Sequence, residues 1–241
     1  MLTRFSKYFC VVFLLSCAVA GMPGAAAAEE GVAPFSLFDE EESLTYTLLW
    51  PSGVTLGEAV LRGSFAGEEL HFQLTVEASL PQYNISHSSS SVATKDGLCS
   101  LQFQGNTRRG SKVSDESIEF DQTAHLAQRT KGNQTTSASI PECARDPLAF
   151  LYYFRNQLAL GKTLDSGTFH LGANFSLQIE AAGPETVEAG GRQWPAEKYL
   201  VTYRGTNSER TVELWISTDA TPKPVRVRVA FPLAVFSAEM E

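Results

Sequence analysis

Residues 70–78 (LHFQLTVEA) decide the fold class, because their side chains alternate strictly between apolar and polar. In an extended chain successive side chains point to opposite faces, so the apolar and polar residues here lie on different sides. The apolar face is Leu70, Phe72, Leu74, Val76 and Ala78. The alternation predicts a half-buried antiparallel strand.

Segments of the same kind fill most of the chain on both sides of this strand. Residues 43–50, 53–65, 111–121 and 210–217 are typical, and Gly, Asp and Asn punctuate the series. Asp96-Gly97 is a hairpin signal between two of them. About a dozen such segments predict a mainly β protein whose antiparallel sheet is curved, barrel-like or a sandwich. Their spacing leaves these three architectures open.

Residues 146–158 (DPLAFLYYFRNQL) break the alternation. Asp146 is a favourable N-cap, and Pro147 suits the first helical position. Leu148, Leu151 and Tyr152 then recur at helical spacing. The sequence predicts one packed α-helix over about 146–158, buried over most of its circumference against the concave face or the open end of the sheet.

The first 28 residues carry the features of a secretory signal peptide. Arg4 and Lys7 precede an apolar stretch, 9–17, that is too short to span a bilayer. Ala26 and Ala28 form an A-x-A cleavage site, which predicts export and a mature chain that begins near Glu29. An alternative is a lipobox at 14–17 (LLSC), which would anchor the protein through an acylated Cys17.

After the signal peptide we expect an acidic leader, 29–43, and a single β-rich domain, 44–241. The acidic run 39–42 (DEEE) is interpreted as a solvated part of that leader. The whole chain has a net charge of −8. Removing Arg4 and Lys7 with the signal peptide makes the mature protein more acidic, which argues against nucleic acid and anionic membrane surfaces as partners.

Two of the four cysteines, Cys10 and Cys17, fall in the signal region. The remaining pair, Cys99 and Cys143, predicts one disulfide in an exported chain. Two unrelated buried thiols are the alternative.

The sequence contains little that indicates catalysis. The four histidines have no metal-ligand spacing, and neither a G-x-S-x-G motif, a phosphate-binding loop nor a dinucleotide fingerprint occurs. We therefore expect no enzymatic activity, no metal and no cofactor.

The aromatic residues suggest a binding site. Most are ordinary core residues, but some are expected to line an apolar cavity between helix and sheet. The candidates for such a ligand site are Tyr46, Trp50, Phe150, Tyr153 and Phe154. Arg155 has two interpretations: it caps the C-terminal carbonyls of its own helix, or it pairs with a ligand carboxylate or phosphate at the cavity mouth.

Several segments in a fixed order are similar to a known family. They are 44–54 with Trp50 and Gly53, 57–59 (GEA), 146–155 with its aspartate–proline start and Arg155, and 214–225 with the sequence LWIS. In these segments the chain resembles the bacterial envelope proteins of domain-of-unknown-function family 3108. The resemblance implies an exported, mostly antiparallel β protein with one packed helix and the half-barrel build of periplasmic lipoprotein carriers. It supplies no activity and no catalytic residues.

These observations together lead to a functional expectation. The protein is expected to be an exported, non-enzymatic cell-envelope protein that binds an apolar or amphipathic ligand, a lipid or lipoprotein acyl chain, between sheet and helix. One alternative is a structural or interaction protein that docks on another envelope component. The other is an enzyme with an unfamiliar site, which would need a cleft of strongly perturbed carboxylates or histidines.

Overall fold

The computed structural model describes residues 35–80, 83–206, 208–230 and 235–241. The predicted signal peptide, the alternative acylation site Cys17 and the predicted mature start at Glu29 lie outside the described residues.

The described residues form strands and one helix. The strands before the helix are β1 (Glu41–Leu49), β2 (Thr55–Ala66), β3 (Glu69–Leu80), β4 (Tyr83–Thr94), β5 (Ser100–Arg109), β6 (Lys112–Asp121), β7 (Leu126–Lys131) and β8 (Gln134–Ser139). The helix is α1 (Pro147–Ala159). The strands after it are β9 (Ser166–His170), β10 (Asn174–Ala189), β11 (Arg192–Gly205), β12 (Ser208–Ser217), β13 (Pro224–Ala230) and β14 (Val235–Met240).

All the strands of the described ranges belong to one 14-stranded sheet, in the order β8-β7-β6-β5-β4-β3-β2-β1-β14-β13-β12-β11-β10-β9. Each pair of neighbours is antiparallel, and β1 pairs with both β2 and β14. The sheet is not closed, since β8 and β9 are its two edges. This architecture confirms the prediction of a mainly β, antiparallel protein with one packed helix.

The helix covers one face of the sheet, which we call the helix face. Tyr152 stacks on Phe72 of β3 with ring centroids 4.0 Å apart, and Phe154 meets Tyr199 of β11 edge-on at 5.1 Å. The helix therefore contacts both halves of the sheet, which shows that the sheet curves around it. Most of the residues buried under the helix belong to the two largest core clusters.

Two glycines on the helix face make room for aromatic rings. A Cβ on Gly63 would lie 2.7 Å from the Phe38 ring and 3.0 Å from the Tyr152 hydroxyl. A Cβ on Gly167 would lie 2.7 Å from the Phe150 ring. Because Cβ atoms do not approach that closely, glycine is required where the helix meets β2 and β9.

The structure differs from the sequence-based prediction at three elements. β1 begins at Glu41, inside the predicted leader. β8 was not predicted, because its sequence QTTSAS lacks alternation. Alternation predicts a strand over residues 175–181, whereas β10 continues beyond an irregularity at Gly183 as far as Ala189. Its distal half covers Trp215 on the other face of the sheet, where the Trp215 indole donates a hydrogen bond to Glu185 at 2.7 Å.

The predicted disulfide is present between Cys99 and Cys143. It links the turn between β4 and β5 to the segment that leads into α1. Arg145 lies beside it and donates hydrogen bonds to the Gly97 carbonyl at 2.9 and 2.5 Å. The cross-link therefore fixes the approach to the helix.

Removing this disulfide is expected to destabilise the fold. The bond closes a loop with a sequence separation of 44, so the double variant Cys99→Ser, Cys143→Ser should lose about 4 kcal/mol of unfolding free energy on the chain-entropy argument. Urea denaturation of the two proteins measures the difference. An unchanged midpoint would show that the disulfide does not contribute to stability.

Candidate functional site

The helix begins at a buried hydrogen-bond network centred on Asp146. The Asp146 carboxylate accepts hydrogen bonds from the backbone N–H groups of Leu148 and Ala149 at 2.8 and 3.1 Å. It also accepts from the hydroxyls of Ser91 and Ser100 at 2.5 and 2.6 Å. Burial raises the pKa of the Asp146 carboxyl, and these hydrogen bonds act in the opposite direction. The network joins the predicted N-cap to β4 and β5.

Arg155 joins the other end of the helix to β1. Its Nη1 and Nη2 atoms donate to both carboxylate oxygens of Glu42 at 2.8 and 2.7 Å, and its Nε donates to the Pro222 carbonyl at 2.7 Å. The side chains of Arg155 and Glu42 are 0% and 8% exposed. Burial acts to lower the pKa of Arg155, but the hydrogen bonds and charge of Glu42 outweigh it and raise that pKa.

This pairing corrects two interpretations made from the sequence. Arg155 caps no carbonyl of its own helix, and its guanidinium faces Glu42 and Pro222 rather than a cavity mouth. Glu42 belongs to the acidic run that was interpreted as a solvated leader, and for this residue that interpretation is wrong. The Arg155 guanidinium lies 4.8 Å from the centroid of the Tyr152 ring. Burial raises the pKa of Tyr46, on whose hydroxyl the charges of Arg155 and Glu42 also act.

The structure distributes the other predicted ligand residues over several places. Phe150 and Phe154 are packed together in the core against Leu177, Ile179, Leu214 and Ile216. Tyr46 is 4% exposed in the neighbouring cluster. The contacts of Phe150 and Phe154 are those of a filled core.

Trp50 and Tyr153 are more accessible than these residues. Trp50 follows β1 and meets Phe236 of β14 edge-on, with ring centroids 5.0 Å apart. Tyr153 is half-buried, and the Arg145 guanidinium lies 3.7 Å from its ring centroid. The six predicted residues therefore do not converge on one point.

The helix face continues beyond the helix as an apolar surface that sequence reasoning did not assemble. We call it the apolar belt. Cross-strand register places its residues on one face: Val201 opposes Val212, which opposes Val229, and Ala238 opposes both Val227 and Leu48. The belt consists of Leu48, Val76, Val201, Val212, Val227, Val229, Phe236 and Ala238. All eight are only half-buried, although they face the same side as the fully buried core.

A group of polar side chains continues the helix face from β4 to β7, and we call it the polar wall. His87 opposes Val76 of the belt, and its Nδ1 lies 2.8 Å from the Thr107 hydroxyl. Further along, Arg129 donates to Glu116 from its Nε at 2.9 Å. Burial, assisted by the charge of Arg109, lowers the pKa of the His87 imidazole. An apolar and a polar surface therefore meet along β3 and β4.

The opposite face of β4–β8 carries a separate, shallow concavity of about 490 Å³. Hydroxyl and amide side chains line it, among them Ser88, Ser90, Gln104, Asn106 and Thr130. Its polarity makes it unsuited to an apolar ligand.

The described ranges hold no cluster of metal-binding side chains. Their histidine, cysteine, aspartate and glutamate side chains form no group of three or more that could hold a metal ion. Among the same residues, no helix is both long enough and apolar enough to cross a membrane.

Comparison with known proteins places this architecture in a class. A crystal structure described as a beta-barrel-like protein of domain of unknown function DUF1849 from Brucella abortus superposes with a TM-score of 0.60 at 8% sequence identity. The match covers 86% of this chain and 98% of that one, and identity this low establishes the fold alone. The protein thus has a beta-barrel-like fold with an internal helix.

The family is established by sequence. Residues 43–241 match the family model described as "Protein of unknown function (DUF3108)", and the chain belongs to this family. This match confirms the family that the resemblance indicated. No curated protein matches the chain.

The Arg155–Glu42 pair yields a stability prediction. Glu42→Gln leaves a buried guanidinium without its counter-charge, so the variant should lose about 3–5 kcal/mol of unfolding free energy. Glu41→Gln, one residue earlier and exposed, is the matched control and should change it by less than about 0.5 kcal/mol. Urea denaturation measures the unfolding free energy of both variants. Equal losses in Glu42→Gln and Glu41→Gln would contradict the structural role of the ion pair.

His170 yields a prediction of pH dependence. Burial lowers the pKa of this 1% exposed histidine in the folded state. Below about pH 6.5 the unfolded chain therefore binds a proton that the folded chain does not, and stability falls as the pH falls through that region.

The variant His170→Gln removes this contribution, which is at most about 1.4 kcal/mol per pH unit for one proton. Its unfolding free energy should depend less steeply on pH than that of the wild type between pH 5 and pH 7. Thr168→Gln, on an exposed position of the same strand, is the control. Identical slopes for wild type and His170→Gln would refute the prediction.

Proposed function

We propose that this protein is an exported, non-enzymatic cell-envelope protein that binds the apolar chain of a lipid or lipoprotein along the apolar belt. The observation that carries the proposal is that all eight belt residues are only half-buried, although they lie on the face that holds the buried core under the helix. Apolar side chains that remain accessible on the concave side of a sheet are the usual lining of an apolar ligand site.

The size of the belt suits an extended alkyl chain. From β11 to β3 the sheet order runs through β12, β13, β14, β1 and β2. Strands lie about 4.8 Å apart, so this part of the sheet measures roughly 29 Å along its surface. Each methylene group buried there would contribute about 0.8 kcal/mol to binding. The proposed ligand therefore lies beside the helix, where the face is accessible, rather than among Phe150 and Phe154.

The polar wall suits the other end of an amphipathic ligand. His87 and Ser89 directly oppose Val76 and Leu74 of β3. A chain on the belt would therefore bring its head group next to hydroxyl, imidazole and charged side chains. This arrangement favours an amphipath over a pure hydrocarbon.

Two further observations support export and a binding role. A disulfide between Cys99 and Cys143 is compatible with an oxidising compartment. Among the described residues, the buried polar groups Asp146, Arg155 and Glu42 are used to anchor the helix, which gives them a structural task. These points favour a carrier or sensor over a catalyst.

Docking on another envelope component is the second candidate function. β8 is an edge of the sheet, and its residues are almost all exposed. An edge strand that lacks proline, lysine and inward charges can accept an added strand from a partner. This candidate requires no ligand on the belt.

Native mass spectrometry followed by solvent extraction tests the proposal. Protein purified gently from its own envelope should carry a lipid that denaturation releases, and the same spectrum gives the mature N-terminus. A bare mass, together with no binding of a fluorescent fatty acid, would refute the ligand proposal and favour docking.

Adjacent residues of β11 provide a matched pair of variants. Val201 lies on the helix face, whereas Leu200 opposes Glu213 on the other face, and both are half-buried. Val201→Gln should weaken binding of a fluorescent fatty acid at least tenfold. The reason is that an apolar chain bound on the belt displaces the water that is hydrogen-bonded to the new amide and offers it no hydrogen bond in return. Leu200→Gln should bind like the wild type. Thermal unfolding of both variants separates lost binding from lost folding.

A further inference from the structure

Among the described residues, α1 lies at one end of β1 to β5 and does not reach the other end of these strands. At the start of the helix, Asp146 accepts hydrogen bonds from Ser91 and Ser100, which lie beside the turn between β4 and β5. Further along the helix, Arg155 donates to Pro222 in the turn between β12 and β13. The opposite end carries the turns after β1, β5, β7 and β11. From Ser100 to Arg109, β5 alone spans on the order of 30 Å. We call the two ends the helix end and the far end.

Exposed carboxylates concentrate at the helix end. They lie in the segments before β1 and α1 and in the turns that this end carries: Asp39, Glu40, Glu41, Glu68, Glu69, Asp96, Asp121, Glu142 and Asp219. Much of the negative charge of the chain therefore lies at one end of the strands.

The far end has the opposite charge at the hairpin between β5 and β6. Residues 108–112 (RRGSK) place three exposed cations, Arg108, Arg109 and Lys112, around one tight turn without a carboxylate. Gly110 supplies the turn with φ 59°, and its N–H donates to the Asn84 carbonyl of β4 at 3.0 Å. We call this hairpin the basic tip. The hydrogen bond to β4 holds it at the sheet.

Exposed apolar side chains accompany the basic tip. Val113 follows Lys112 and is 52% exposed, while Val54, in the turn after β1, is 60% exposed, and Val235, at the start of β14, is 47% exposed. All three belong to the far end. Basic and apolar side chains presented together at one rim are the combination that binds the interface of an anionic bilayer.

The apolar belt becomes more accessible in the same direction. Along β13, Val225 is fully buried near the helix end, whereas Val227 and Val229 are half-buried towards the far end. Along β12, Ile216 and Leu214 are buried and Val212 is half-buried. The belt therefore is most accessible on the side of the basic tip.

We propose that the far end docks on an anionic phospholipid bilayer through Arg108, Arg109 and Lys112, with Val54, Val113 and Val235 at the interface. This inference rests on the proposed function and names a membrane as the partner of the protein. Docking in this orientation places the accessible end of the belt against the membrane that supplies or receives the lipid chain. The carboxylates of the helix end do not oppose docking, because at about 30 Å they lie beyond the Debye length of about 10 Å at 0.1 M salt. Asp115 is an exposed carboxylate close to the basic tip, but it is outnumbered there by the three cations.

Vesicle flotation tests the docking surface. The mature wild-type protein should float with vesicles of phosphatidylglycerol and phosphatidylcholine and not with phosphatidylcholine alone. Binding should vanish near 1 M salt, where the Debye length is about 3 Å. The variant Arg108→Gln, Arg109→Gln, Lys112→Gln should bind on the order of 100-fold more weakly, from about fivefold for each cation.

The control removes the same charge at the helix end. Lys95→Gln, Arg192→Gln, Lys223→Gln should float like the wild type. Equal binding of wild type to both vesicle types, no flotation at all, or equal loss in the two triple variants would each overturn the proposal.

Fatty-acid binding separates this proposal from the proposed function. The double variant Arg108→Gln, Lys112→Gln should bind a fluorescent fatty acid as tightly as the wild type, since neither cation belongs to the belt. Arg109 is kept in this variant because its charge acts on His87 of the polar wall. Flotation without fatty-acid binding would refute the belt as a ligand site and leave the docking surface supported. Fatty-acid binding without flotation would refute the docking surface and leave the belt supported as a ligand site.

Discussion

The bidentate ion pair between Arg155 and Glu42 is the interaction on which the rest of the structure depends. β1, which carries Glu42, pairs with β2 and β14 and so joins the two halves of the sheet. Arg155 fixes the helix to this central strand and to the Pro222 carbonyl. A buried ion pair adds little stability compared with apolar packing of the same volume. Removing one partner is costly, however, because the other charge is left buried and unpaired. The effect of the pair is therefore to specify one position for a helix that is apolar on nearly every side.

Because the helix is fixed at one end of the strands, it covers only part of the helix face. The remaining part of that face carries the apolar belt. Phe150, Tyr152 and Phe154 fill the space under the helix, and Gly63 and Gly167 provide the room for them. Beyond the helix the same face lacks a second covering element among the described residues, and its valines stay half-buried. The proposed ligand site and the charge polarity between the two ends both follow from this asymmetric covering.

Local patterns allowed the correct prediction of elements whose signals lie within a few residues. Alternation identified β3, Asp146-Pro147 identified the helix start, and Asp96-Gly97 identified a turn in which Gly97 has φ 75°. Prediction was wrong where the partner is distant in sequence. Glu42 lies 113 residues from Arg155, so a carboxylate in an acidic run gives no local sign that it is buried. β8 was missed because an edge strand with two solvated faces need not alternate.

The sequence by itself determined most of the secondary structure, the disulfide pair and the family, because each is encoded in periodicity, turn residues, segment order or the number of cysteines. Only the tertiary structure decided which surfaces exist. Cross-strand register gathers Leu48, Val201 and Val229 into one belt, and the curvature of the sheet lets one helix cover part of it. Register and curvature arise from pairings between distant segments, and single segments do not carry that information.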